Sequence, residues 1–345
     1  LNNINTRQAA DDINAVREAL GYKTVNLWGS SYGTRVAMEY QKHYPHATRT
    51  VTLDGVAPAT IALPRYAQYD AAVALQQLFL ACHQQSQCHQ QFGDLTATWH
   101  QLINTLNKQP VKASFAHPRT TKTLNTTISA AVAANWVRFA LYSRELAALL
   151  PLAISKASQG NFEYLANLAQ TASDSVSHGM SYGMHAAILC AEDTHAQPIT
   201  REIISAPPMP FAVLNDLTPA CKAMPNNPVD QAFFEPISSD IPTLLLSGRF
   251  DPITPAFWGN WASQKMSNSL HITIDGGHHG VSGLGCIPAL IATFIEQGEL
   301  KTLKTQCAKA IKPAHFFIDA AGPAMQLEPS QNLINANTTT KETKP

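Results

Sequence analysis

The spacing of apolar positions along the chain changes character twice. Between residues 7 and 20, Ala9, Ile13, Val16 and Leu20 recur at helical spacing, with Thr6 placed to cap the start and Gly21 to stop it. Residues 24–28 are a short β-rich run that ends in Gly29-Ser30-Ser31-Tyr32-Gly33. A second helical pattern, through Val36, Ala37 and Tyr40, stops before Pro45, and residues 50–53 form the next strand, closed by Asp54-Gly55. Strand, turn, helix and strand in that order are the unit of a parallel sheet. Helical periods then take over from 58 to 236, at 66–82, 95–106, 128–142, 145–157 and 162–172, and no strand stands out among them. Strand pattern returns at 242–246 and 271–274, followed by a helix at 287–296. The order predicts a parallel-sheet core in two parts, 1–57 and 237–328, with a helical cap, 58–236, inserted between sheet strands. Residues 329–345, polar and rich in Asn, Thr and Lys, are expected to be a disordered tail.

Composition narrows the function classes. The chain has 345 residues, 45% of them hydrophobic, which is ample for a large core. Lys plus Arg and Asp plus Glu both number 24, so no net field points to nucleic acid or to an anionic membrane as partner. No apolar run is long enough to span a bilayer. The chain opens at Leu1 with polar residues behind it, and reads as one whose beginning was removed or left out. Six cysteines, at 82, 88, 190, 221, 286 and 307, are an even set without a Cys-x-x-Cys pair. They predict disulfides and an oxidising compartment, periplasmic or secreted, rather than a structural zinc site; spacing alone leaves the connectivity open, although Cys82 and Cys88 flank a loop short enough to close.

The chemistry concentrates at strand ends. Gly29-x-Ser31-x-Gly33 is a nucleophile-elbow pattern, with small residues two before and two after the serine so that strand can turn sharply into helix. The elbow exposes the Ser31 hydroxyl at the start of a helix and aims the Tyr32 amide at the oxyanion that acyl transfer would develop. A serine needs a base and a group to orient that base, in the chain order Ser, acid, His. Asp251, in the loop after the strand at 242–246, is the candidate acid; Asp54 comes too early in that order and reads as a turn residue. The candidate base lies in Asp275-Gly276-Gly277-His278-His279-Gly280, where two adjacent histidines compete. No metal or organic cofactor is needed for this chemistry.

These motifs resemble a known family. Trp-Gly-Ser-Ser-Tyr-Gly-Thr-Arg at 28–35, Leu-Asp-Gly-Val-Ala-Pro at 53–58, Ser-Gly-Arg-Phe-Asp-Pro at 247–252, Cys-Ala-Glu-Asp at 190–193 and His279-Gly280-Val281 followed by Gly285-Cys286 are similar to the tripeptidyl aminopeptidase and proline iminopeptidase family of serine peptidases. The resemblance implies the α/β-hydrolase fold, the triad Ser31, Asp251 and His279 (His279 because the later Gly-Cys spacing fits it and not His278), and disulfides Cys82–Cys88, Cys190–Cys221 and Cys286–Cys307. It also implies exopeptidase action on short peptides with a free N-terminus. Such a substrate needs an anion for its ammonium group, for which Glu192 and Asp193 are the candidates. Arg35, one helical turn past the serine, is expected to be a structural charge paired at the sheet edge. Two departures stand out. The family's cap usually carries a Trp a few residues after the cysteine matching Cys221; here Met224 stands nearby. The family's early His-Gly-Gly-Pro-Gly loop has no match here, and with it go the first strands of the sheet and the second oxyanion amide, worth about 3–4 kcal/mol of transition-state stabilisation. An upstream segment that completes the sheet is therefore the expected partner.

Three functions fit these residues: an aminopeptidase working through Ser31, an esterase or broad hydrolase with the same triad, and an inactive hydrolase-fold fragment lacking half its oxyanion hole. Fold and triad do not separate the first two, because specificity lives in the pocket.

Overall fold

A computed structural model of the chain describes residues 3–177, 180–199, 209–210, 218–224 and 227–323; the expected tail at 329–345 lies outside them. Helix α1 (Thr6–Ala19) leads into strand β1 (Val25–Ser30), helix α2 (Tyr32–His43) and strand β2 (Thr48–Asp54). A long helical region follows: α3 (Leu63–Gln84), α4 (Ser86–Phe92) and α5 (Leu95–Lys108), then strands β3 (Val111–Ala116) and β4 (Thr123–Ile128), then α6 (Ala130–Ala140), α7 (Arg144–Ala147), α8 (Leu150–Ser158), α9 (Glu163–Ser177) and α10 (Tyr182–Ile188). Helix α10 runs into a π-helical turn, Leu189–Asp193, and α11 (Thr218–Ala223) comes later. The chain returns to the sheet with β5 (Thr243–Gly248), α12 (Ala256–Ala262), β6 (Ser269–Ile274) and α13 (Ile287–Gln297).

The sheet is parallel, in the order β1-β2-β5-β6. Together with helices on its faces it forms an α/β-hydrolase core. Every residue of β5 is buried, as in a parallel strand covered on both faces. Its side chains alternate: Leu245 packs with Ala37 and Met38 of α2, whereas Leu244 and Leu246 pack with Leu290 and Phe294 of α13.

Among the described residues β1 is the outer strand on one side of the sheet, and α1, which packs against α2, leaves its apolar stripe exposed. Ile13, Val16 and Leu20 are 41%, 58% and 64% exposed and Trp28 is 56% exposed, while the buried side chains of α1 are Thr6, Ala10 and Asn14. The cap of α1 is Asn5, whose side chain accepts the Gln8 N–H, rather than Thr6, which is already within the helix.

The cap departs from an all-helical expectation in two places. The hairpin β3-β4 interrupts it, and Ile128 closes β4 instead of opening a helix. The single helix expected at 145–157 is two, α7 and α8, because Pro151 sits in the first turn of α8 where its missing N–H costs nothing. The cap core is rich in Leu and Ala and takes in Phe250, from the loop after β5, so cap and sheet share one packed boundary. Disulfides join Cys82 to Cys88, Cys190 to Cys221 and Cys286 to Cys307, the connectivity implied by the resemblance. They fit a location outside the reducing cytoplasm.

Candidate active site

The sharp turn after β1 is a backbone requirement before it is a chemical one. Ser31 has φ 55° and ψ −121°, a conformation costing on the order of 1–3 kcal/mol for a non-glycine residue. Gly29 is obligatory: a Cβ there would lie 2.3 Å from the Gly33 carbonyl oxygen. Gly33 itself has open space around its Cα, so only one of the two elbow glycines is demanded by crowding. The turn is pinned by the Ser31 N–H donating to the Asp54 carbonyl at 2.9 Å and by the Thr34 hydroxyl donating to the Ser31 carbonyl at 2.6 Å. The Tyr32 N–H opens α2, where the first turn's amides have no helical acceptor.

The loops after β5 and β6 bring two side chains to this hydroxyl. His279 Nε2 lies 2.9 Å from Ser31 Oγ, and its Nδ1 lies 3.0 and 2.9 Å from the two Asp251 carboxylate oxygens. Asp251 is fully buried, and it accepts the Ile253 and Thr254 N–H groups and the Thr254 hydroxyl, each at 2.7–2.8 Å. Burial alone would raise the Asp251 carboxyl, but the neighbouring His279 and these hydrogen bonds hold it below its usual range. Burial would likewise lower the His279 imidazole; the Asp251 charge and hydrogen bond override it and raise its pKa.

His278 points elsewhere. Its Nδ1 lies 2.7 Å from the Leu141 carbonyl and its ring stacks on Phe250, and burial pushes its pKa down to about 4. It is a packed, neutral histidine at the boundary with the cap.

Two neighbours of the imidazole carry no motif. Thr254 Oγ1 bridges Asp251 and His279, at 2.7 and 3.2 Å. Tyr142, just beyond α6 in the cap, sets its ring edge against His279 with centroids 5.2 Å apart. The Thr three residues after the acid could have been suspected as a turn-forming hydroxyl; nothing local marks Tyr142.

A second buried cluster gathers around α2 one turn after Ser31. Arg35 Nη1 donates to Glu192 at 2.9 Å and to Asp193 at 2.6 Å, and all three residues are buried. Arg35 thus ties α2 to the π-helical turn of the cap; it does not pair at a sheet edge. Asp193 also accepts the Leu63 N–H at the start of α3, a favourable place for an anion. Glu192 accepts the Thr6 N–H at 2.6 Å and the Thr6 hydroxyl at 2.9 Å, and that hydroxyl lies 3.1 Å from the Tyr32 phenol. Burial raises the Glu192 carboxyl in spite of Arg35 and Thr6. Cys190, bonded to Cys221, anchors the turn that carries both acids.

The chain is similar to several known proteins. Residues 211–307 match the family described as TAP-like protein. Serine protease Hip1 of Mycobacterium tuberculosis is 27% identical over 332 residues, which is 89% of this chain and 62% of that protein; the chain therefore spans about three-fifths of the length of this curated relative. Among solved structures, a proline iminopeptidase of Mycobacterium smegmatis has 14% identity and a TM-score of 0.36, over 85% of this chain and 72% of its own. An esterase from Exiguobacterium antarcticum has 14% identity and a TM-score of 0.34, over 86% and 75%.

Proposed function

We propose that this chain, which resembles TAP-like proteins over residues 211–307 and is 27% identical to serine protease Hip1, is the catalytic part of a serine exopeptidase that releases N-terminal residues from short peptides. The observation that carries the reading is the unbroken hydrogen-bonded chain from Ser31 through His279 to Asp251 at the elbow. His279 takes the Ser31 proton as the hydroxyl attacks the scissile carbonyl, and Asp251 orients and stabilises the imidazolium. The Tyr32 N–H receives the oxyanion, His279 passes its proton to the leaving amine, and water then releases the acyl-enzyme.

The aminopeptidase part of the reading draws on the second cluster. Arg35 faces two carboxylates, so a buried cluster with both acids ionised keeps one excess negative charge. Burial keeps the Glu192 carboxyl raised even with Arg35 and Thr6 beside it, so a further cation there would stabilise its charge. A substrate ammonium that displaced the Thr6 N–H from Glu192 would supply one, beside the tyrosine that follows the nucleophile. The exposed stripe of α1 and the open edge of β1 support a further element of the proposal: an upstream segment covers them and contributes the second oxyanion donor. Periplasmic or secreted location accompanies the three disulfides.

The test is a pair of chromogenic anilides, one with a free α-amine and one N-acetylated. Cleavage of the free amine only, abolished in Ser31→Ala, is the expected result; equal cleavage of both contradicts the ammonium clamp and favours an esterase or broad hydrolase. Full activity from residues 1–345 without any upstream segment would contradict the need for a second donor.

A further inference from the structure

Asp54 ends β2, the strand lying between β1 and β5, and is 2% exposed. Its sequence context marks it as a turn residue, yet both of its polar groups are spent on the two loops that must meet. The backbone carbonyl accepts the Ser31 N–H at 2.9 Å. The carboxylate accepts the Val281 N–H at 2.9 Å on each oxygen and the Ser282 N–H at 2.8 Å. Val281 and Ser282 follow His279 by two and three residues, so one buried side chain holds the end of the loop that carries the imidazole. The next residue completes the floor. Gly55, at φ +67°, lies so close beneath the site that a Cβ would sit 3.1 Å from Thr254 Oγ1 and 3.4 Å from His279 Cε1. No other buried carboxylate outside the two clusters already described is bound to backbone amides on a catalytic loop among the described residues.

We infer that Asp54 is a positioning residue, which sets the reach of His279 to Ser31 by clamping the elbow and the histidine loop to one strand end. The inference rests on the proposed serine-hydrolase reading. Asp54 touches neither substrate nor the reacting atoms; it acts through the loop. Its carboxylate also adds to the negative surroundings of the imidazole, which otherwise faces Asp251 from the acid loop and Arg138 and Tyr142 from the cap.

The two contributions separate by substitution. Asp54→Ala removes the clamp and the charge. Asp54→Asn keeps a carbonyl oxygen able to accept both amides and removes only the charge. The expected result on the full-length protein is a fall in kcat of about 100-fold for Asp54→Ala with KM nearly unchanged, since a misplacement near 1 Å costs that much. Asp54→Asn recovers most of the loss, and in both variants the acid limb of the pH–rate profile moves to lower pH. A merely structural Asp54 would give a lower melting temperature with kcat and the limb unmoved below that temperature, and this result overturns the inference. The low-field proton resonance of the His279–Asp251 hydrogen bond gives a reading without turnover. Absence of Ser31-dependent turnover in the wild type sinks the peptidase reading, whereas a resonance unchanged between wild type and Asp54→Ala sinks the role given to Asp54.

Discussion

Helix α2 carries a buried charge cluster at each end of its first turn, and the two are built differently. At its N-terminus, Asp251 is surrounded by donors that satisfy its charge, two backbone amides and a hydroxyl, and it turns what remains on one imidazole. One turn later, Arg35 is shared between Glu192 and Asp193, with a single guanidinium against two carboxylates. In the proposed reading the first cluster moves a proton between Ser31 and His279. The second ties α2 to the π-helical turn of the cap, and with both acids ionised it carries one surplus negative charge. Burial alone therefore does not separate the catalytic and binding roles proposed for the two clusters. The number and kind of donors around each carboxylate do.

The largest expected effect breaks the first cluster. Asp251→Asn leaves the site its shape but favours the wrong imidazole tautomer, and steady-state kinetics are expected to show kcat lower by about four orders of magnitude. The second cluster responds in stability. Arg35→Met abandons two buried carboxylates to each other, and denaturant unfolding is expected to register a loss of about 3–5 kcal/mol. A loss below about 1 kcal/mol would mean the cluster is wetter than it looks. Glu192→Gln sharpens the contrast: KM for free-amine substrates rises roughly 10–100-fold, the worth of a charge-assisted hydrogen bond, while phosphonate labelling of the serine proceeds at its former rate. Thr254→Val removes one of the donors on Asp251 and is expected to lower kcat by about tenfold, with little change in KM.

The smallest effect concerns pH. The His279 pKa is raised above 6.5, and the imidazole must be neutral to accept the Ser31 proton. Activity is therefore expected to fall as pH drops through that raised value, so the acid limb of kcat/KM lies above 6.5. The limb moves downward in Asp251→Asn, which removes the anion responsible. His278, held near 4 by burial, contributes no second inflection in the neutral range.

Much of this was legible in the sequence, and the limits have physical causes. The parallel sheet could be read because its strands are short apolar runs bounded by turn residues, and the elbow because Gly29 and Ser31 mark a conformation few other residues tolerate. The hairpin β3-β4 escaped because its strands are six residues each and mostly solvated, with only Phe115 and Ile128 buried, so their alternation carries little apolar signal. The stripe on α1 is a helix face, as its spacing predicts, but Ile13, Val16 and Leu20 are exposed rather than turned into the core. Asp54 looked like a turn residue because its partners, Val281 and Ser282, are more than two hundred residues away. Tyr142 and Thr254 meet His279 through tertiary packing that no local pattern encodes.

The most direct test of the central claim is covalent. The full-length protein is treated with a fluorophosphonate and digested, and the modified peptide is identified by mass spectrometry, with Ser31→Ala and His279→Ala in parallel. A single adduct on Ser31, absent from the first variant and formed far more slowly in the second, is the predicted result. An adduct on another residue, or equal labelling of Ser31 with and without His279, would contradict a nucleophile activated by this imidazole.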